Sequence, residues 1–285
     1  MKYFILSIVL IFAIFSFKNK SQKAYSPMKL VKLWESDTLF TTAESVIFDK
    51  KSKVIYVSNI EGQPWEEDGK GSIGKLSLDG KVINARWVTG LNAPKGLGIV
   101  NGKLYVADNV KLIEIDQKSG KILHKYEVKD CQGLNDVATT ADGSVYFTDS
   151  EKGVVHLLKD GVVSTVVNGL GGSNGIFYET DRLLLGTWSD SCLTVYNFKT
   201  QNKTIFAKNL PQPDGIEAIG NGNYLVSTWS GLIHLVDKKG KVKLLLDTKK
   251  DKISAADIDF VKEKNLLLVP TFFRNTVVAY RLENN

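Results

Sequence analysis

The feature that most constrains the fold is a strand motif that recurs six times along the chain. Each copy begins a short β-type run, and a second run follows about eight to twelve residues later. The spacings between successive copies are 51, 40, 39, 40 and 42 residues. A period in this range, with short strands and turns throughout, is typical of a β-propeller. The copies begin at Glu44, Lys95, Asn135, Asn174, Asp214 and Ala256.

Turn dipeptides between these runs support the same fold class. They are the pairs that tight hairpins require, because the turn needs positive φ angles. The chain has only six Pro and no long amphipathic helical pattern. We therefore predict an all-β, six-bladed β-propeller that forms one domain over residues 28–283. Pairing of residues 30–34 with residues 276–280 would close the ring and remove free strand edges. The turn pairs are Asn101-Gly102, Asp142-Gly143, Asp160-Gly161 and Asn221-Gly222.

The residues that open the repeats are polar at five of the six positions. Equivalent positions of a propeller form a ring about its axis, so these side chains should face the central channel at one level. Buried polar groups of this kind cost several kcal/mol unless a partner satisfies them. Glu44, Asp214, Asn135 and Asn174 offer hard oxygen ligands, which Ca²⁺ and Mg²⁺ prefer. The pattern predicts one divalent cation. The alternatives are hydrogen bonds among these side chains and trapped water, or local turn capping by the Asn-Gly and Asp-Gly pairs.

The first repeat carries an insertion, residues 61–71, between its second and third strands. That position places the loop on the pocket face. Two interpretations stay open: a solvated acidic loop, or a lid over the central opening with Trp65 reaching the ligand. Trp188 and Trp229, in two copies of Thr-Trp-Ser, follow second strands on the same face, where core packing and ligand stacking are both open.

Other chemistries have weaker support. His156 and His234 occupy equivalent third-strand positions, which indicates a structural role. Cys131 and Cys192 have no neighbouring ligands at zinc-type spacing, and a disulfide between them stays open. No Walker loop, Rossmann fingerprint or nucleophile elbow is present in the sequence.

Residues 1–24 differ from the rest of the chain. Residues 3–17 are apolar apart from two Ser, and Lys residues flank them, which is typical of a signal peptide. We expect an exported protein, periplasmic or extracellular. The apolar run is shorter than the roughly 20 residues that a spanning helix needs, but an uncleaved anchor stays open, and membrane association is expected only in that case. Four Lys in this segment account for most of the formal charge of +6, so we expect no nucleic-acid partner.

The chain resembles the family of senescence marker protein 30, gluconolactonase and luciferin-regenerating enzyme over nearly its whole length after the N-terminal segment. The resemblance implies that Glu44, Asn174 and Asp214 bind the metal and that Asn135 contacts substrate or metal. The flanks that carry it are Asn135-Asp136, Ser173-Asn174-Gly175 and Pro213-Asp214-Gly215.

The chain also departs from that family at two places. Residues 45–48 read Ser-Val-Ile-Phe, where the family commonly has Gly-Pro-x-Trp. Gly133 stands where the family has an Arg that binds sugar lactones. The resemblance to the family therefore supports the metal site better than it supports a particular substrate.

The resulting hypothesis is a metal-dependent hydrolase that acts on a lactone or related ester, with a small-molecule substrate. The cation, Ca²⁺ before Mg²⁺, Mn²⁺ or Zn²⁺, would stabilise the developing oxyanion. Asp214 would take a proton from the attacking water, and Asn135 and Lys95 would bind substrate. The alternatives are a non-catalytic propeller that binds a small ligand over the cation, and a protein-interaction scaffold resembling NHL-repeat propellers. A condensing enzyme resembling strictosidine synthase ranks last, because its relatives lack this oxygen set.

Overall fold

Each of the six repeats folds into a four-stranded antiparallel sheet in the computed structural model, which describes residues 28–284. The predicted signal segment lies outside the described residues. Blade 1 contains β2 Ala43–Asp49, β3 Val54–Asn59, β4 Gly71–Ser77 and β5 Val82–Leu91. Blade 2 contains β6 Pro94–Val100, β7 Lys103–Asp108, β8 Lys111–Asp116 and β9 Ile122–Glu127. Blade 3 contains β10 Leu134–Thr139, β11 Val145–Asp149, β12 Val154–Lys159 and β13 Val162–Val167. Blade 4 contains β14 Ser173–Glu179, β15 Arg182–Thr187, β16 Cys192–Asn197 and β17 Lys203–Lys208. Blade 5 contains β18 Pro213–Gly220, β19 Asn223–Thr228, β20 Leu232–Val236 and β21 Val242–Asp247. Blade 6 contains β22 Asp259–Val261, β23 Leu266–Pro270, β24 Val277–Asn284 and, from the start of the chain, β1 Met28–Glu35.

The all-β, six-bladed propeller predicted from the repeat is thus confirmed. Two short 3-10 helices, Lys249–Asp251 and Lys262–Lys264, are the helical elements of the described chain. Within residues 28–284, no helix has the length and apolar character needed to cross a membrane.

The ring closes by pairing its first and last strands, as predicted. The strand β1 lies antiparallel to β24 at the outer edge of blade 6. The register differs from the expected one, because Leu30 faces Leu282 and Trp34 faces Ala279. A shift in the pairing between Lys32 and Trp34 accounts for part of this difference.

Burial within the blades is highest in the inner and second strands and lowest in the outer ones. The second strands are almost fully buried, whereas outer strands such as β9 and β17 alternate between exposed and partly buried residues. The apolar core therefore lies between neighbouring blades, in clusters that join inner and middle strands. Three of the four predicted turn pairs behave as expected: Asn101, Asp160 and Asn221 adopt positive φ, and a Gly with positive φ follows each of them. At Asp142-Gly143 only the Gly has positive φ.

Glycines directly after three ring positions let the inner strands approach one another. A Cβ at Gly175 would lie 1.7 Å from the backbone oxygen of Asp214 in the next blade. A Cβ at Gly96 would lie 2.4 Å from Asp136 Cα, and one at Gly215 would lie 2.3 Å from Ile258 N. These glycines lie inside strands without positive φ. The Asn-Gly and Asp-Gly pairs here are therefore close-approach positions and not turn caps.

Candidate functional site

The inner strands carry the predicted ring residues to the channel at equivalent places. In blades 1 to 5 the ring residue is the second residue of its inner strand. All six ring side chains are buried, with exposed fractions between 0% for Ala256 and 8% for Asn135. The common register read from the sequence therefore matches a common depth in the fold.

Three buried oxygen atoms in this ring have no hydrogen-bond partner within residues 28–284. They are Glu44 Oε2, Asn174 Oδ1 and Asp214 Oδ1. Buried polar atoms are normally paired, so three orphans at one level indicate a missing partner. Each of these atoms is an acceptor, which is what a cation requires. The residues present fit a divalent cation with carboxylate and amide ligands.

The charges of the ring point the same way. Burial raises the pKa of Glu44 to about 8, with Asp257 adding to the shift and Lys95 opposing it. Burial, together with the charges of Glu44 and Asp257, raises the pKa of Asp214 well above its ordinary value. Both carboxyl groups are thus unfavourable as anions unless positive charge lies beside them.

The donor set depends on amide oxygens as well as acids. Among the described residues, no three Asp, Glu, His or Cys side chains meet as a metal-binding group. The ring instead combines two carboxyl groups with Asn174 and Asn135. Such an all-oxygen set suits Ca²⁺ or Mg²⁺ better than the softer transition metals.

Lys95 lies in the ring but makes contacts that the sequence did not indicate. Its Nζ donates to the backbone oxygen of Pro64 at 2.6 Å and to that of Ala93 at 3.0 Å. The same atom lies 3.9 Å from the centre of the Trp65 ring. Burial lowers the pKa of Lys95 to about 8, while the charges of Glu44 and Asp108 oppose the shift. Lys95 therefore ties the insertion of blade 1 to the ring.

Asn135 borders a cavity of about 360 Å³ beside the ring, on the face where the insertion lies. Trp65 and Trp188 also line this cavity, together with Glu151. Trp229, the second copy of Thr-Trp-Ser, packs instead against Phe272, with ring centres 5.6 Å apart. The two tryptophans, which the sequence made equivalent, thus have different surroundings.

Four further acidic side chains that sequence reasoning missed border a second cavity, of about 170 Å³, formed by the inner strands. Asp136 accepts hydrogen bonds from the backbone N–H groups of Val137 and Ile176. Burial raises the pKa of Asp136 to about 8 and that of Asp259 to about 6. A signal was present, because Asp136 and Asp257 each directly follow a ring position. The four residues are Asp136, Glu217, Asp257 and Asp259.

The remaining residues singled out in the sequence line neither cavity, although His156 Nε2 and His234 Nδ1 are buried without a hydrogen-bond partner within residues 28–284. His156 and His234 lie on β12 and β20, the third strands of their blades, as expected. Thr165 contacts His156 Nδ1 at 3.1 Å. Cys131 and Cys192 are both free, so the open question of a disulfide is answered in the negative.

Comparison with known proteins identifies the architecture. No protein-family model and no curated protein matches the sequence. The structure of a proposed gluconolactonase superposes with a TM-score of 0.67 at 16% identity, covering 91% of this chain and 94% of that one. A catalytically inactive virginiamycin B lyase from Staphylococcus aureus, solved with quinupristin, gives a TM-score of 0.61 at 14% identity, covering 90% and 99%. At these identities the likeness shows the fold alone.

Proposed function

We propose that this protein is a divalent-cation-dependent hydrolase of a lactone or related ester, of the gluconolactonase type. The observation that carries the proposal is the set of three partnerless, buried acceptor atoms on Glu44, Asn174 and Asp214. The superposition with a proposed gluconolactonase supports it at the level of the fold. Export to the periplasm or the cell exterior, from the pattern of residues 1–24, belongs to the same proposal.

The chain's own residues would perform most of the chemistry. Glu44, Asn174 and Asp214 hold the cation, which when bound polarises the substrate carbonyl and stabilises negative charge on its oxygen. Asp214 takes a proton from the attacking water and returns it to the departing oxygen as the acyl carbon–oxygen bond breaks. With the cation bound, the Asp214 carboxyl group would stay ionised despite its burial. Without a cation, burial and the charges of Glu44 and Asp257 raise the pKa of Asp214 and favour its neutral form. Asn135, at the edge of the cavity, orients the substrate.

Lys95 has a role in this proposal that differs from direct contact with an anionic substrate group. Its ammonium group is already bound to the oxygens of Pro64 and Ala93. Lys95 therefore shapes the substrate side by fixing Trp65, and its charge lowers the cost of a Glu44 carboxylate in the ring.

The test of the metal site is a calorimetric Ca²⁺ titration of residues 25–285. We expect one site in the unaltered protein, and affinity at least about tenfold lower in Glu44→Gln and in Asp214→Asn, since each substitution removes a charged ligand. Glu151→Gln is the matched control, because Glu151 borders the cavity but lies outside the ring. Absence of any site in the unaltered protein would contradict the proposal and favour the interaction scaffold.

The test of catalysis uses the same proteins with a panel of lactones. Hydrolysis that requires added cation and is lost in Asp214→Asn is the expected result. Metal binding without turnover of any lactone would favour the non-catalytic binding propeller.

A further inference from the structure

We propose that the cavity beside the ring is a subsite for an uncharged, planar aromatic group of the substrate, with Trp65 and Trp188 as its walls. This inference rests on the proposed function, since it names the substrate class that the same site would accept. Its volume of about 360 Å³ lies in the range of small-ligand pockets.

The first wall is Trp65, which the insertion of blade 1 holds in place. Asn109 Nδ2 donates to the Trp65 backbone oxygen at 3.1 Å, and Lys95 donates to the oxygen of the preceding Pro64. Even so, 42% of Trp65 is exposed. An anchored backbone with an exposed indole is the arrangement of a contact surface rather than of a core residue.

Gly133 shows that the indole occupies space that a side chain would otherwise fill. A Cβ at this position would lie 2.9 Å from Trp65 Cζ3. Position 133 in blade 3 therefore has no room for a side chain, because the edge of the Trp65 ring lies against its backbone. The insertion thus adds an aromatic surface beside the polar residues that blade 3 contributes, Asn135, Ser150 and Glu151.

The second wall is Trp188, whose indole nitrogen indicates what the ligand must carry. Nε1 of Trp188 is buried and has no hydrogen-bond partner within residues 28–284. Buried tryptophan N–H groups normally find an acceptor. Trp188 lines the cavity with Asn135, and a ligand carbonyl or ether oxygen that reaches Nε1 would supply the missing acceptor.

The charges around the cavity favour an uncharged ligand. The carboxylates of Glu44 and Asp214 balance the proposed ring cation, and the buried ammonium of Lys95 is already engaged by backbone oxygens, so neither offers much to an anion. Glu151, on the cavity wall, would repel one. The Lys95 ammonium also lies against one face of Trp65, which weakens the attraction of the opposite face for a second cation. A neutral aromatic ring suits these walls best.

The test is a binding measurement with 2-tetralone, an uncharged benzo-fused ketone that a hydrolase cannot cleave. Calorimetry and tryptophan fluorescence are recorded with and without Ca²⁺. We expect saturable binding, weakened at least about tenfold in Trp65→Ala and in Trp188→Ala. Trp188→Phe keeps an aromatic wall but lacks the N–H group. This variant should therefore bind 2-tetralone several-fold more weakly, while its affinity for tetralin, which has no carbonyl, should be unchanged.

The matched control is Trp229→Phe, the same substitution in the other Thr-Trp-Ser copy. Trp229 packs against Phe272 and does not line the cavity, so its variant should bind 2-tetralone within about twofold of the unaltered protein. Thermal unfolding of every variant shows that the propeller is intact. Binding that is insensitive to Trp65 and Trp188, or tighter binding of a carboxylated 2-tetralone, would overturn the proposal.

Hydrolysis separates this inference from the proposed function. With 3-isochromanone, the lactone counterpart of 2-tetralone, we expect a lower KM than with δ-valerolactone, and Trp65→Ala should remove most of the difference. Equal KM values for the two lactones would defeat the subsite and leave the hydrolase standing. Binding of 2-tetralone that depends on Trp65 and Trp188, without hydrolysis of either lactone, would defeat the hydrolase and leave the subsite standing.

Discussion

Lys95 is the residue whose role changes most between sequence and structure. We predict that Lys95→Met, which keeps the aliphatic stem but removes the ammonium group, loosens residues 61–71. The physical reason is the loss of the hydrogen bond to Pro64 and of the cation over Trp65. Hydrogen exchange of the loop amides should become faster, and 2-tetralone should bind more weakly.

The control for this change is Lys75→Met. Lys75 Nζ lies 3.5 Å from the centre of the Trp87 ring in blade 1, so the same substitution removes a similar contact away from the cavity. Unchanged loop exchange in Lys95→Met, or an equal effect of Lys75→Met, would show that Lys95 does not hold the loop.

At this scale, the sequence predicted which residues share the ring but not all of their partners. Glu44, Asn174 and Asp214 could be found because a repeat places equivalent residues at one level. The contact of Lys95 with Pro64 could not, because the insertion occurs in one repeat and has no counterpart to align. Asp257 escaped notice because the ring residue before it is Ala256.

The close spacing of the inner strands depends on glycines, which have no side chain. We predict that Gly175→Ala destabilises the protein by about 3 kcal/mol or more, because its Cβ would meet the backbone oxygen of Asp214 at 1.7 Å. The shifted strand should also weaken Ca²⁺ binding. Urea unfolding and the calorimetric titration measure the two effects.

The matched control is Gly186→Ala on β15 of the same blade. There the nearest atom, the Pro213 backbone oxygen, lies 3.1 Å from the added Cβ. We expect a loss below about 1.5 kcal/mol. Similar losses for the two variants would argue against close approach of the inner strands as the reason for Gly175.

Closure of blade 6 depends on β1. We predict that a chain beginning at Asp37, which lacks β1, loses cooperative unfolding and associates in solution, because β24 then presents an unpaired edge. A chain beginning at Ser26 retains β1 and serves as the control. Thermal unfolding and light scattering distinguish the two, and a cooperative, monomeric shorter chain would contradict the prediction.

The elements were largely predictable because the repeat averages out local ambiguity. Six copies of one strand pattern, with four Asn-Gly or Asp-Gly turns among their strands, leave little choice of fold. The closing register was predicted less well: Leu30 pairs with Leu282, beyond the expected partner strand. The more buried residues of β1 and β24 show which parts of the two strands face the core, but no turn connects these strands to determine the register.

The propeller buries more carboxyl groups than its net charge suggests. The pKa of Asp136 is raised to about 8 and that of Asp259 to about 6, while desolvation and the charges of Asp259, Asp257 and Asp136 raise that of Glu217. A carboxyl group with a raised pKa stabilises the fold below its unfolded-state pKa. That contribution is lost as the pH rises through the folded-state value.

We therefore predict that, in the presence of a chelator, Tm falls between about pH 5 and pH 9. Glu217→Gln should reduce this fall, since one fewer desolvated group must ionise. Glu127→Gln is the control, because the Glu127 side chain is 74% exposed and should leave the profile unchanged. A Tm that is constant or rises over this range would contradict the prediction.

The pairing of β1 with β24 also imposes an order on biosynthesis. The earliest described strand to be made has as its partner the last one, so it must wait until almost the entire polypeptide has emerged. Blades 1 to 5 are each built from consecutive strands and can form as they appear, whereas blade 6 cannot. A prematurely terminated product keeps an open sheet edge, which marks it for aggregation or proteolysis. The fold thus makes completion of translation a condition for forming the finished ring.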